Sequence, residues 1–241
     1  ILTVNGDTRP ANTSPFASPT LTDGSVYFDG NGDYLNLASN SAFGFGTGDF
    51  TIECWIYPTT TGVSRGISGR GSSSQGWSME INASNQLRWL FNTSDQVVSS
   101  TTIQPNTWTH VAVTNDGTTT RIFVNGVLST SATGVTITSA NEQGNLRIGA
   151  RLYNNGNPYT GLISNVRLIK GTALYTSNFT PSTNPLTTTS QGATASNVSL
   201  LTCQTDYYDD MSGKNNTFVI TTGVISTLAP FAYTGGAIKI S

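Results

Sequence analysis

An all-β domain, an antiparallel sandwich or jelly roll of many short strands, is the fold class this 241-residue sequence predicts. Three observations predict it. Apolar and polar residues alternate with period two along most of the chain, while helical periodicity is nearly absent. Turn chemistry separates the alternating segments: "DGNGD", "NASNQ", "NDGTT" and "NNGNP". Ser, Thr, Asn and Gly fill the chain and only 10% of residues are charged; Thr suits strands, and Asn and Gly suit turns.

In chain order, residues 1–20 read as an N-terminal arm, opening with the strand-like "ILTVNG". The main domain spans 21–186. Its strands are "SVYFD", "DYLNLA", "DFTIECWIYP", "GWSMEINA", "QLRWLF", "WTHVAVTN", "TRIFVNG", "LRIGARL" and "GLISNVRLI". On "DFTIECWIY", alternation turns Ile52, Cys54 and Ile56 to the core and Glu53, Trp55 and Tyr57 to the opposite face. Trp77, Met79 and Ile81 share a core face, as do Leu87, Trp89 and Phe91. Leu146, Ile148 and Ala150 point inward, leaving Arg147 and Arg151 outward. "SGRGSSSQGW", Ser68 to Trp77, reads as a rim loop carrying Arg70 and Gln75, and "TALYT", Thr172 to Thr176, as at most one helical turn. Residues 187–241 form a closing segment expected to contain further strands.

The 11 basic and 13 acidic residues form no basic run, which argues against tracking of a nucleic-acid backbone. The apolar runs are too short for a membrane-spanning helix, so no membrane insertion is expected. Two cysteines, Cys54 and Cys203, are too few for a disulfide framework and lack zinc-ligand spacing. They read as buried thiols, with a single disulfide as the alternative. The chain opens on Ile1 without a leader pattern, which leaves a processed chain or a segment of a longer one.

"TWTHVAVTNDGTTTRIFVNGVLS" resembles the central hairpin of the laminin-G-like, concanavalin A-like jelly-roll domains. "GSVYFDGNGDYLNL", "DFTIECWIYPT", "LRIGAR" and "GLISNVRLIKGTALY" extend the resemblance over residues 24–186, in that family's order. "NFTPSTNPLT" followed by "SLLTCQ" resembles modules of marine bacteriophage structural proteins. The first resemblance implies a β-sandwich and a fold shared by lectins and glucan hydrolases. It also implies that His110, the only histidine, packs the sheet rather than catalyses. The second implies a virion setting.

Enzyme chemistry finds little support in the residues. No Gly-x-Ser-x-Gly elbow accompanies His110. Retaining glycoside hydrolysis needs two carboxylates about 5 Å apart. The Glu-x-Asp-x-x-Glu strand pattern of related glucanases is absent, and Glu53 and Glu80 stand alone in their strands. In "DGNGD", Asp29, Asn31 and Asp33 have two readings. One is a shared Ca2+ ion, since calcium takes oxygen ligands from flexible loops and related jelly rolls often bind it. The other is a turn whose side chains bond their own backbone.

The most ligand-like segment is "RLYNNGNPYTG". Arg151, Tyr153, Asn154, Asn155, Asn157 and Tyr159 supply rings for stacking and amides or a guanidinium for sugar hydroxyls; an ordinary glycine-punctuated loop is the alternative. Trp55 and Tyr57, with Glu53, Arg147 and Arg151, are a second candidate groove if their strands lie in the concave sheet; the same face is otherwise covered by the C-terminal segment or a neighbouring module.

These readings converge on a non-enzymatic recognition or structural module, in a virion (tail fibre or capsid-associated) or an extracellular adhesin, binding surface carbohydrate. The alternatives are a self-assembling structural protein, a homo-oligomer or a partner of other virion proteins, and a divergent hydrolase-like domain. Both ends carry a strand, a Pro-Phe loop (Pro15-Phe16, Pro230-Phe231) and a Gly-led strand, a faint repeat of the kind found in tandem arrays. That pattern predicts that residues 1–20 or 215–241 contact another chain by strand addition, with Phe16 or Phe231 as anchors.

Overall fold

The computed structural model describes residues 2–6, 8–11, 15, 24–72, 75–135, 137, 143–151, 156–204, 209–216 and 218–220. Alternating sequence becomes two packed sheets. Sheet I runs, in spatial order, Phe218–Ile220 (β16), Leu2–Asn5 (β1), Tyr34–Leu37 (β4), Leu146–Ile148 (β13), Arg65–Ser72 (β6), Gln75–Ile81 (β7), Gln86–Phe91 (β8) and Ser94–Thr102 (β9). Sheet II runs Val127–Thr133 (β12), Thr119–Val124 (β11), Thr109–Asn115 (β10), Phe50–Pro58 (β5), Thr160–Lys170 (β14), Ser25–Asp29 (β3) and Arg9–Ala11 (β2). Val198–Thr202 (β15) also pairs with β14. Pairing is antiparallel except between β1 and β16.

Between the sheets lie the residues that alternation turned inward. Ile52, Cys54 and Ile56 of β5 meet Trp77, Met79, Ile81, Leu87 and Trp89 of sheet I, all fully buried. Trp77 and Trp89 stack at 5.3 Å, and Phe50 lies 5.2 Å from Trp89, so aromatic rings join the two layers. Trp77 satisfies its indole N–H on the Phe43 carbonyl at 3.2 Å. The β11–β12 hairpin turns at Asn125-Gly126, with φ of 50° and 76°, the left-handed pair that a two-residue type I′ turn requires. Gly149 is demanded twice over. Its φ is +86°, and a Cβ there would sit 2.2 Å from the Phe28 ring. This lets the chain leave β13 tightly and enter the 151–158 loop.

Several expectations are corrected. "SGRGSSSQGW" is mostly strand: β6 ends at Ser72 and β7 starts at Gln75, and Arg70 is buried rather than on a rim. "TALYT" forms no helical turn; it crosses the outer face of sheet II in irregular conformation. Within the N-terminal segment, β1 joins sheet I and β2 joins sheet II. The closing segment contributes β15 and β16, the further strands expected of it. The end strands pair with each other: β1 has β4 on one edge and β16 on the other, so its backbone needs no second chain. Phe16 and Phe231 lie outside the described residues.

Candidate functional site

The two outer sheet faces differ in kind. On sheet II, Glu53 projects from β5 away from the core and is nevertheless 0% exposed. The 171–193 segment covers it. Glu53 Oε1 accepts from Arg167 Nε at 2.9 Å and Nη2 at 2.5 Å. Its Oε2 accepts from the Tyr175 hydroxyl at 2.9 Å and lies 3.1 Å from His110 Nε2. An ionised carboxylate only accepts, so Nε2 carries the proton. Arg167 Nη1 extends the network to the Thr187 carbonyl at 2.6 Å and to Ser190. Burial alone would raise the Glu53 pKa, but the His110 hydrogen bond and the Arg167 charge outweigh it and hold the carboxyl below its ordinary value. Tyr175 stacks on Phe179, which packs edge-on against His110. His110 is thus 1% exposed and part of a latch that fastens one chain segment to the sheet.

On sheet I the outward residues are less self-sufficient. Glu80 alternates with core residues Met79 and Ile81 and faces out. It holds Arg88 Nη2 at 2.8 Å, Arg151 Nε at 3.1 Å and Asn157 Nδ2 at 3.2 Å. Arg88 also meets Asp95 at 3.3 Å. Glu80 therefore anchors both ends of the 151–157 loop, which is closed by Arg151 N–H on the Gly156 carbonyl at 3.1 Å. Gly66 of β6 donates to the Asn157 carbonyl at 2.6 Å. A Cβ at Gly66 would lie 2.3 Å from the Arg151 nitrogen, so the loop stem rests directly on the sheet.

Beside this anchor, Arg147 of β13 pairs in register with Asn36 of β4. The Arg147 guanidinium lies 5.2 Å from the Tyr34 ring centroid. Its Nε and Nη1 are buried and make no hydrogen bond, and neither does the buried Asn36 Oδ1. Among the described residues, Arg88 and Arg151 each reach a carboxylate and Arg147 reaches none.

The sequence-derived candidates fall in different places. Arg151 and Asn157 stand together on Glu80. Tyr153, Asn154 and Asn155 lie outside the described residues. Tyr159 is 0% exposed in the core, edge-on to Phe28 at 6.2 Å, so its ring is not offered to a ligand. Trp55 and Tyr57 are half-buried on sheet II, Trp55 against His110 and Tyr57 against Trp108. They cannot share a groove with Arg147 and Arg151, because β13 belongs to sheet I. Glu53 is likewise withdrawn from any groove by its covering segment. Sequence reasoning missed Tyr34, Asn36 and the anchoring role of Glu80. The period-two signal that turns Leu35 and Leu37 inward also turns Tyr34 and Asn36 outward, but nothing local places β4 beside β13.

In the 29–33 turn the two aspartates bond the turn's own backbone. Asp29 Oδ1 accepts the Asn31 N–H at 2.6 Å, and Asp33 Oδ2 accepts the Asp29 N–H at 3.0 Å. Calcium takes six to eight oxygens, and among the described residues no group of three acidic, His or Cys side chains could hold a metal. Glu53 and Glu80 sit on opposite outer faces, with the core between them, and do not form a hydrolytic pair. Cys54 and Cys203 are free and buried; burial pushes the Cys203 thiol up to about 12 and Cys54 well above its ordinary value. No helix among the described residues is long and apolar enough to cross a membrane.

Two antiparallel sheets in this order, packed face to face, define a concanavalin A-like β-sandwich. The chain belongs to the laminin G-like family of the concanavalin A-like lectin/glucanases superfamily, which matches residues 29–175. Comparison with curated protein sequences finds no match. Among solved structures, domain 4 of AbnA, an extracellular arabinanase from Geobacillus stearothermophilus in complex with arabinotriose, is similar with a TM-score of 0.55 and 16% identity, covering 72% of this chain and 82% of that one. A putative carbohydrate binding protein from Bacteroides ovatus gives 0.52 and 18%, covering 83% of this chain and 54% of that one. The Ruminococcus gnavus IT-sialidase CBM40 bound to α2,3-sialyllactose gives 0.50 and 12%, covering 63% and 91%. At these identities the likeness is one of fold.

Proposed function

We propose that the chain is a non-enzymatic glycan-binding module that uses the outer face of sheet I, between the Tyr34–Asn36–Arg147 row and the Glu80-anchored 151–157 loop. The observation that carries this reading is the contrast between the faces. Much of sheet II's face is covered by its own chain, which satisfies the charged Glu53 and Arg167 and, among the described residues, leaves only neutral atoms such as His110 Nδ1 and Thr202 Oγ1 unmet, whereas on sheet I unmet buried donors belong to a charged guanidinium, Arg147, beside the unmet acceptor of Asn36. Buried polar groups normally find partners. A saccharide supplies hydroxyls for them and a C–H face for Tyr34. Membership of a lectin/glucanase superfamily supports the reading. So do the arabinotriose and sialyllactose held by two proteins of the same fold.

The setting we propose is a virion or another extracellular assembly, in line with a surface rich in Ser, Thr and Asn and poor in charge. The half-buried rings of Trp55, Tyr57 and Trp108 give a second surface for stacking. A glycan array separates the two surfaces. Tyr34→Ala is expected to abolish the signal and Tyr57→Ala to leave it. The reverse result moves the site to sheet II, and no signal with the wild-type chain refutes glycan binding. A stable oligomer that covers the 151–157 loop would favour the self-assembling structural role instead.

A further inference from the structure

We infer that the saccharide recognised on sheet I carries an acidic group, and that Arg147 receives it. The inference rests on the glycan-binding reading of that face and names the ligand's chemistry. A guanidinium stays charged under all physiological conditions. Leaving its N–H groups dry and without acceptors costs more than leaving a neutral donor so, because the charge is desolvated as well. Arg147 Nε and Nη1 are in that position. Glu80, two strands away on the same face, is already engaged by Arg88, Arg151 and Asn157. No acidic side chain among the described residues is within ion-pair reach of Arg147. Nothing among the described residues supplies the counter-charge, and an acidic ligand would.

The surroundings narrow the class of ligand. Tyr34 lies beneath the guanidinium and fixes its plane. Asn36, the cross-strand partner, presents an unbonded carbonyl oxygen next to it. The pair thus offers a cation for an anionic oxygen and an acceptor for a hydroxyl. A sugar acid matches this, since its carboxylate and ring hydroxyls lie within one residue. A sulfate ester on a sugar offers the same anionic oxygens, so the shared chemistry is an oxyanion borne on a sugar ring.

The test is isothermal titration of the full chain with matched pairs. One pair is trigalacturonic acid and the galactotriose made by reducing its carboxyls; the other is lactose 3′-sulfate and lactose. The acidic member of at least one pair is expected to bind about tenfold or more tightly, the effect of one or two charge-assisted hydrogen bonds, and which pair shows it separates carboxylate from sulfate. Arg147→Gln is expected to bring acidic and neutral members within about twofold, the acidic member losing at least about fivefold more affinity than the neutral one. In the wild-type chain the acidic preference should shrink as NaCl is raised, a readout that needs no variant. Equal binding of acidic and neutral members, or equal weakening of both by Arg147→Gln, overturns the inference and leaves the glycan reading standing. An acid preference that survives Arg147→Gln alongside a lowered melting temperature assigns Arg147 to a bond with Asn36 and likewise overturns it. Binding of no member refutes both.

Discussion

Glu53→Gln is the sharpest probe of what holds the 171–193 segment to sheet II. The substitution keeps shape and volume but removes the charge and replaces one acceptor by an amide donor. Each Glu53 oxygen now faces donors: Arg167 on one side, His110 and the Tyr175 hydroxyl on the other. Turned toward Arg167, its NH2 meets another donor; turned toward His110 and Tyr175, it finds an acceptor only if the imidazole changes tautomer or the hydroxyl turns, and either way Arg167 loses its counter-charge. At 0% exposure, water cannot repair the loss. Removing one partner of a buried ion pair costs about 3–5 kcal/mol. The bonds from Arg167 Nη1 to Thr187 and Ser190 remain and place the expected value toward the lower end. For a domain of this size, about 3 kcal/mol lowers Tm by roughly 6–12 °C.

The assay is urea unfolding followed by tryptophan fluorescence. The dependence on pH is fixed in sign. The folded pKa of Glu53 is lowered, so its stabilisation is fully present above the ordinary carboxylate value of 4.5 and is lost as pH falls below it toward the folded pKa. The gap between wild type and Glu53→Gln should be constant near neutrality and close in acid. A gap under about 1 kcal/mol at pH 7, the size of an exposed pair, would refute the latch, as would one that persists undiminished in acid.

Gly149→Ala should destabilise by about 2–4 kcal/mol, from the left-handed φ plus overpacking against Phe28, and denaturation at matched m values checks it. Cys54 and Cys203 should not react with a thiol reagent until the chain unfolds, because both are buried and their pKa values are raised; labelling at the rate of free cysteine in the native state would contradict their placement. Chelator should leave Tm unchanged, since the Asp29 and Asp33 carboxylates bond their own turn; a fall in Tm would reveal a bound cation stabilising the native state.

Much of the fold was legible because one face of each strand is buried, which stamps period two on the sequence. β5, β7, β8 and β10 follow that pattern in their core residues. β9 and β12 were not legible, since they are largely polar and exposed along much of their length. β6 looked like a loop because Gly66, Gly69 and Gly71 interrupt any apolar pattern; two of them are needed for backbone approach, Gly66 to Arg151 and Gly71 to Gln75. The site was legible only in part. The 151–157 loop stood out by composition. Its anchor, Glu80, looked like a lone surface acid, because the residues that claim it come from β8 and from a loop far along the chain. Arg147 was correctly turned outward but grouped with Trp55, since strand faces are local information and strand pairing is not. Glu53 likewise showed its face but not the segment that buries it.

Amide hydrogen exchange with a saccharide that binds the chain decides whether glycan occupies the outer face of sheet I. Binding is expected to slow exchange at residues 34–37 and 145–151, and in the 156–158 stem, while residues 53–57 and 108–112 of sheet II stay unchanged. Protection confined to the sheet II residues, with none at Tyr34, Asn36 or Arg147, would contradict the claim.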